Sequence, residues 1–262
     1  IEQAFEKSKS PLNIIKNLER MRQDKISLNN DLIIFDEIQS CNNALNSLKY
    51  FAEECPHAFI VAAGSLLGLQ LGGGNFPVGK VEIHKLYPMN FLEFLQALNE
   101  KEDYEEYLKA PELFLHERLW QRYTDYLFVG GLPAAVDFFV KNQKLHAMEL
   151  KQKIRLIQEN IINGHVADMA KHSGKENALL LEKLWSSVGK KLGTGQSEKF
   201  TFKEIFPGKK TYKDFFGSFE WLKKTGLIFQ INILDSIQFP LSLSAQENTF
   251  KVFLYDVGIL GA

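Results

Sequence analysis

The stretch "DLIIFDEIQ", residues 31–39, runs four apolar residues, Leu32, Ile33, Ile34 and Phe35, into two adjacent carboxylates, Asp36 and Glu37. A short apolar run of this kind predicts a buried strand of a parallel sheet. Two like charges at the end of a buried strand are costly unless they face solvent or share a cation. The stretch is therefore either a strand running into a solvated acidic turn or half of a metal site.

The flanking sequence supplies the sheet. "ALNSLKYFAEEC", 44–55, places Leu45, Leu48, Phe51 and Cys55 on one helical face, and "AFIVAAGS", 58–65, is a second apolar strand. Strand, helix and strand with short joins form a βαβ unit, which implies a parallel sheet covered by helices on both faces. Upstream, "PLNIIKNLERMRQD", 11–24, predicts a helix with Leu12, Ile15, Leu18 and Met21 at core spacing, Ser10 as N-cap and Pro11 at the first helical position. Beyond the glycine-rich "LGGGN", "VEIHKLYP" is a third strand candidate. From Asn90 to about Lys175 the pattern is mostly helical, with "MNFLEFLQALN", "LFLHERLWQRYTDYLFV" and the stretch from Lys144 to His172. "GGLP" at 130–133 reads as a turn between helices. Met89, Phe91, Phe94 and Leu95 read as core. From Leu179 onward the order helix, short strand, helix, two strands resembles a winged helix-turn-helix. The fold class is α/β: a partial P-loop-type parallel sheet over 1–90, a helical region over 91–178, and a winged-helix-like α+β module over 179–262.

Composition narrows the function classes. A net charge of -1 gives no global pull toward nucleic acid or an anionic membrane. No apolar run approaches the ~18 residues a membrane span needs. Two cysteines, Cys41 and Cys55, without metal-ligand spacing, and no cleavable apolar leader, point to a reducing cytoplasm. The chain opens at Ile1 and stops at the apolar "FLYDVGILGA", so both ends read as cut from a longer polypeptide.

In a P-loop NTPase the strand beside the phosphate loop delivers a carboxylate to Mg²⁺, and a neighbouring acid positions the attacking water. On that reading Asp36 holds Mg²⁺, usually through water, and Glu37 polarises the nucleophile. Ser65, 29 residues after Asp36 at the end of the next strand, takes the place of a γ-phosphate sensor. A simple helix N-cap is the other reading of Ser65. The phosphate loop should read G-x-x-x-x-G-K-[ST]. Gly74 to Lys80 comes close, but Val81 has no hydroxyl for Mg²⁺ and Pro77 sits where backbone N–H groups should cradle phosphate. Lys80 is either a solvated lysine or a cation that meets a phosphate of its own or a neighbouring subunit, which would make the protein a homo-oligomer.

Seven segments occur in order: "LIIFDEIQ", "LNSLKYFAEE", "AAGSLLG", "FPVGKVE", "LYPMNFLEFL", "YLFVGGLPAAV" and "LYDVGILGA". Together they resemble the bacterial and archaeal AAA-superfamily ATP-binding proteins that pair an N-terminal AAA module with a conserved C-terminal domain of unknown function. The resemblance runs through nearly the whole chain. It implies ATP and Mg²⁺ as cofactors, Asp36 and Glu37 as the Walker B pair, Ser65 at the sensor position, and a phosphate loop ahead of Ile1. The family often carries Gly-Arg where this chain has Gly79-Lys80, which weakens a basic-finger role for Lys80. Members often continue into a restriction-endonuclease-like region that the present residues do not reach.

Two other constellations complete the reading. His165, Asp168 and His172 fall on one helical pattern, but the two histidines would stand ~10 Å apart along the axis, so a polar helix face is preferred to a metal site. The candidate recognition helix carries Lys213, Lys223 and Lys224 after Lys209 and Lys210, so 209–224 could contact DNA phosphates. Phe215, Phe216, Phe219, Trp221 and Leu222 crowd the same helix, which favours a protein partner of unknown identity or a structural role.

Overall fold

The computed structural model describes residues 2–6, 8–64, 79–173, 175–193, 200 and 212–262. It divides into two compact units, Ile1–Lys85 and Leu86–Ala262. The helical region and the C-terminal module thus belong to one unit rather than two.

The first unit contains α1 (Gln3–Glu6), α2 (Pro11–Arg22), β1 (Leu32–Phe35), α3 (Asn42–Glu54) and β2 (Phe59–Ala62). β1 and β2 pair in parallel, Leu32 opposite Phe59 through Phe35 opposite Ala62. The two backbones stay linked beyond the strands: Ala63 N–H donates to the Phe35 carbonyl at 2.9 Å, and Ile38 N–H to the Ala63 carbonyl at 3.0 Å. α3 makes the crossover, and Leu45, Leu48, Phe51 and Cys55 are all buried, as their spacing predicts. α2 follows Ser10 as expected, although the serine side chain makes no capping bond. Its buried stripe is Ile14, Ile15 and Leu18, whereas Leu12 and Met21 are exposed. The helix is rotated toward Ile14, so the expected stripe is only half right.

The sheet corrects a larger expectation. Ile33, Phe35, Ile60 and Ala62 pack on the core formed by α1, α2 and α3. The opposite face stays open: Leu32 is 59%, Ile34 60%, Phe59 59% and Val61 49% exposed. Among the described residues helices therefore cover one face of the sheet, not both. "VEIHKLYP" is also corrected, since 81–88 forms no strand.

The second unit is mainly helical: α4 (Phe91–Ala97), α5 (Lys101–Lys109), α6 (Leu113–Val129), α7 (Pro133–Lys141), α8 (Ala147–Ser173), α9 (Lys175–Gly193) and α10 (Tyr212–Lys224). Asn90 caps α4 in a capping box, accepting Glu93 N–H at 3.0 Å while the Glu93 carboxylate accepts Asn90 N–H at 2.8 Å. Phe94 and Leu95 are fully buried, with Met89 and Phe91 packed beside Phe94. α10 leads into an antiparallel hairpin, β3 (Ile228–Leu234) and β4 (Ala245–Leu254). Phe215, Phe219 and Leu222 of α10 form a core with Leu181, Leu184 and Val188 of α9 and with Phe250 and Val252 of β4. Among the described residues no helix is long and apolar enough to cross a membrane.

Candidate functional site

The parallel pairing sets the direction of the first unit. β1 delivers Asp36 at the C-terminal edge of the sheet, the edge at which open α/β folds bind ligands. Both Asp36 and Glu37 are exposed. The Asp36 carboxylate accepts Glu37 N–H at 3.0 Å through one oxygen. Glu37 has φ 51° and ψ 41°, a left-handed conformation that costs a non-glycine residue about 1–2 kcal/mol. This backbone turn starts the short 3₁₀ segment Ile38–Ser40 and buries Ile38. It also lets the Gln39 amide donate to the Glu37 carboxylate and the Ser40 hydroxyl donate to the Glu37 carbonyl at 2.8 Å. The two acids thus sit on a tightly bonded turn, with the bulk of their acceptor capacity facing solvent. Hard oxygen donors of this kind suit Mg²⁺, which keeps several waters and takes one or two carboxylates.

The other predicted site residues do not gather there. Ser65 lies outside the described residues, while Ala63, two residues before it, is placed beside the Asp36 turn by the bonds above. Lys80 lies 3.7 Å from Glu53, and both side chains are partly exposed. Glu53 is in the last turn of α3, a crossover helix of about 20 Å that returns antiparallel to the strands. The ion pair therefore holds Lys80 near the end of the βαβ unit opposite Asp36. A role for Lys80 at its own subunit's carboxylates is not favoured by this placement. His165 is committed elsewhere: its Nε2 lies 2.8 Å from the Tyr255 hydroxyl and its ring meets Trp185 and Tyr255 edge-on. Burial pushes its pKa down, partly opposed by Asp168.

A second polar constellation, in the second unit, was not legible from spacing. Asp256, 4% exposed, accepts Gly131 N–H at 2.6 Å, Gly258 N–H at 2.9 Å and Ile259 N–H at 3.3 Å. Burial raises its pKa, and the three N–H bonds pull the other way. Gln158, fully buried, donates to the carbonyls of Phe128 and Val129 at 3.0 Å each. Arg155 donates to the Gln158 amide oxygen at 2.7 Å and to the Gly258 carbonyl at 2.9 Å. A Cβ on Gly130 would overlap the Asp256 carboxylate, and one on Gly131 the Met89 backbone. "GGLP" is therefore a turn, as expected, but one clamped to the segment after β4. The cue in the sequence is a lone Asp two residues before Gly258 in the apolar run "FLYDVGILGA", together with the glycine pair at 130–131.

Comparison with known proteins places these two constellations in different matched regions. Residues 2–95 match a family model described as an AAA domain, and residues 121–262 match one described as a domain of unknown function, DUF8612. No curated protein and no solved structure matches the chain. An AAA-type module thus precedes a C-terminal domain of unknown function, as the ordered segments indicated. Because the second match covers more than half of its residues, the chain belongs to the DUF8612 family.

Proposed function

We propose that the first unit is the metal and water half of an ATP site, and that the protein is an ATP-hydrolysing switch whose second unit reports nucleotide state to a protein partner. The observation that carries this reading is the placement of Asp36 and Glu37 side by side on a strained turn at the C-terminal edge of a parallel sheet. Backbone strain concentrates where a fixed geometry serves function. Asp36 would hold Mg²⁺, usually through water, and Glu37 would orient the attacking water. Bound Mg·ATP supplies the electrophilic phosphoryl group. Gln39 steadies the Glu37 carboxylate by hydrogen bonding. The open face of Leu32, Ile34, Phe59 and Val61 supports the reading too, since parallel strands are normally covered on both faces within a larger sheet. The phosphate cradle, which no stretch of the 262 residues matches, would have to come from outside them.

The test is calorimetric titration of the full-length protein with ATP, with and without Mg²⁺. Wild type should bind ATP more tightly with Mg²⁺, and Asp36→Asn should lose most of that gain. Equal ATP affinity with and without Mg²⁺ in wild type would sink the proposal.

A second reading, a non-hydrolysing module that binds DNA or protein, rests on the winged-helix-like order helix, short strand, helix, two strands. Of these, α9, α10, β3 and β4 are described, while the short strand expected over 199–206 lies, apart from Phe200, outside the described residues. α10 buries Phe215, Phe219 and Leu222, and Lys223 is held 2.7 Å from Glu220. Lys209 and Lys210 lie outside the described residues, as does the Lys213 side chain, and Lys224 is exposed. A fluorescence-anisotropy titration with duplex DNA over a salt series separates the classes: steep weakening with salt supports phosphate contacts, and no binding at low salt removes DNA as the partner.

A further inference from the structure

α6 is apolar on two sides. Leu115, Leu119 and Val129 are buried in the second unit. On the outer side Leu113, His116, Trp120, Tyr123 and Leu127 recur with the 3-4-3-4 spacing of a helix-pairing seam. These side chains are exposed, Leu113 by 73%, Trp120 by 62% and Leu127 by 46%. Their rings are ordered against one another: His116 stacks on Trp120 at 6.5 Å, Trp120 lies 5.9 Å from Tyr123, and Tyr107 of α5 lies 5.9 Å from His116. The Tyr107 hydroxyl also meets His116 Nδ1 at 3.2 Å. A helix that is apolar on its solvent side is a partner-binding element by default.

Charge identifies the partner. From Glu100 to Asp125 the chain carries eight acidic against four basic side chains. Three of the four bases are already taken: Lys101 lies 3.2 Å from Glu105, Arg118 lies 3.0 Å from Asp103, and Arg122 lies 2.7 Å from Glu100 and 3.2 Å from Asp125. The Arg122 guanidinium holds the Glu100 carboxyl below the usual range. By contrast Glu106, Glu112 and Glu117, next in sequence to Tyr107, Leu113 and His116, are exposed and have no basic partner among the described residues. A seam of apolar and aromatic groups with an acidic rim excludes nucleic acid and anionic lipid. It complements a helix whose apolar stripe is flanked by Lys or Arg, with ring faces available for cation–π contact. We propose that the α5–α6 face is a docking surface for a basic amphipathic helix of a partner protein. This inference does not depend on the nucleotide reading.

The test uses the 262-residue chain and two synthetic 21-residue helices with Leu at a and d, one with Lys and the other with Glu at e and g. The Lys peptide should bind at least tenfold more tightly than the Glu peptide, and should weaken several-fold as salt rises from about 50 to 300 mM. Trp120→Ser should abolish binding with the circular dichroism spectrum unchanged. The triple variant Glu106→Gln, Glu112→Gln, Glu117→Gln, which leaves the packing surface intact, should erase the preference between peptides. Absence of binding, equal affinity for both peptides, or binding indifferent to Trp120→Ser would overturn the proposal. So would a dimer in sedimentation equilibrium that Trp120→Ser dissociates, because the seam would then belong to a second copy.

Discussion

Asp36 follows β1 with its carboxylate exposed and one oxygen engaged by the N–H of its own neighbour. Asp256, two residues past β4, is buried with both oxygens engaged by three backbone N–H groups. The two aspartates thus differ in what already occupies their lone pairs. A saturated buried carboxylate has nothing left to offer a ligand, and removing it strands donors in a dry interior. An exposed carboxylate with spare acceptor capacity contributes little to folding and is free to hold a cation.

The sharpest way to break this contrast is to delete each group in turn. Asp256→Ala should destabilise the second unit by about 3 kcal/mol in urea denaturation, because three buried N–H groups lose their acceptor. Gly131→Ala should cost a similar amount, about 3 kcal/mol, since the added methyl meets the Met89 backbone rather than a side chain that can turn away. Asp36→Ala should stay within about 0.5 kcal/mol of wild type. If Asp36→Ala proved as damaging as Asp256→Ala, the two carboxylates would both be structural.

Relief of strain at the first site gives an effect of opposite sign. Glu37→Gly should stabilise the first unit by about 0.5–1 kcal/mol, as glycine adopts φ 51° without steric cost. The same variant would lose the carboxylate proposed to position water, so on that proposal stability and turnover should move in opposite directions.

Within the second unit the pH dependence can be assigned by sign. His165 has a folded pKa below its ordinary value of about 6.5, with burial against Trp185 and Tyr255 the main cause and the Asp168 charge opposing it. Its neutral form is favoured by folding, so the stability it contributes is present above about pH 6.5 and is lost as pH falls. Asp256, raised by burial, works the other way and gains from acid. Thermal melts of wild type and His165→Gln from pH 7 to 5 should converge as pH falls, and parallel curves would show that His165 does not titrate on unfolding. The smallest effect expected is that of Lys80→Ala, within about 0.5 kcal/mol, because a partly exposed pair at 3.7 Å contributes little.

Legibility in the sequence followed periodicity. The crossover helix α3 has the buried face its apolar spacing predicts, and the 17-residue α6 spans the segment read as helical, although which of its apolar sides is buried was not legible. The strand pair β1 and β2 was equally clear, but the openness of one sheet face was not, since four consecutive apolar residues read the same whether one side or both are covered. α5 has no buried residue, its short stripe of Tyr104, Tyr107 and Leu108 being left at least partly exposed, and ion pairs such as Asp103 with Arg118 tie it to α6. Of the candidate site, the adjacency and edge position of Asp36 and Glu37 were visible. The left-handed turn at Glu37 and the diversion of Lys80 to Glu53 depend on backbone conformation and tertiary placement, which side-chain spacing does not encode.

The central claim is that Glu37 activates water at a Mg·ATP site. It is tested most directly by single-turnover hydrolysis and ATP retention in the full-length protein carrying Glu37→Gln. The account predicts that the variant retains ATP as tightly as wild type while hydrolysis falls by roughly a hundredfold or more. Undiminished hydrolysis by Glu37→Gln, or failure of the wild-type protein to bind ATP, would contradict it.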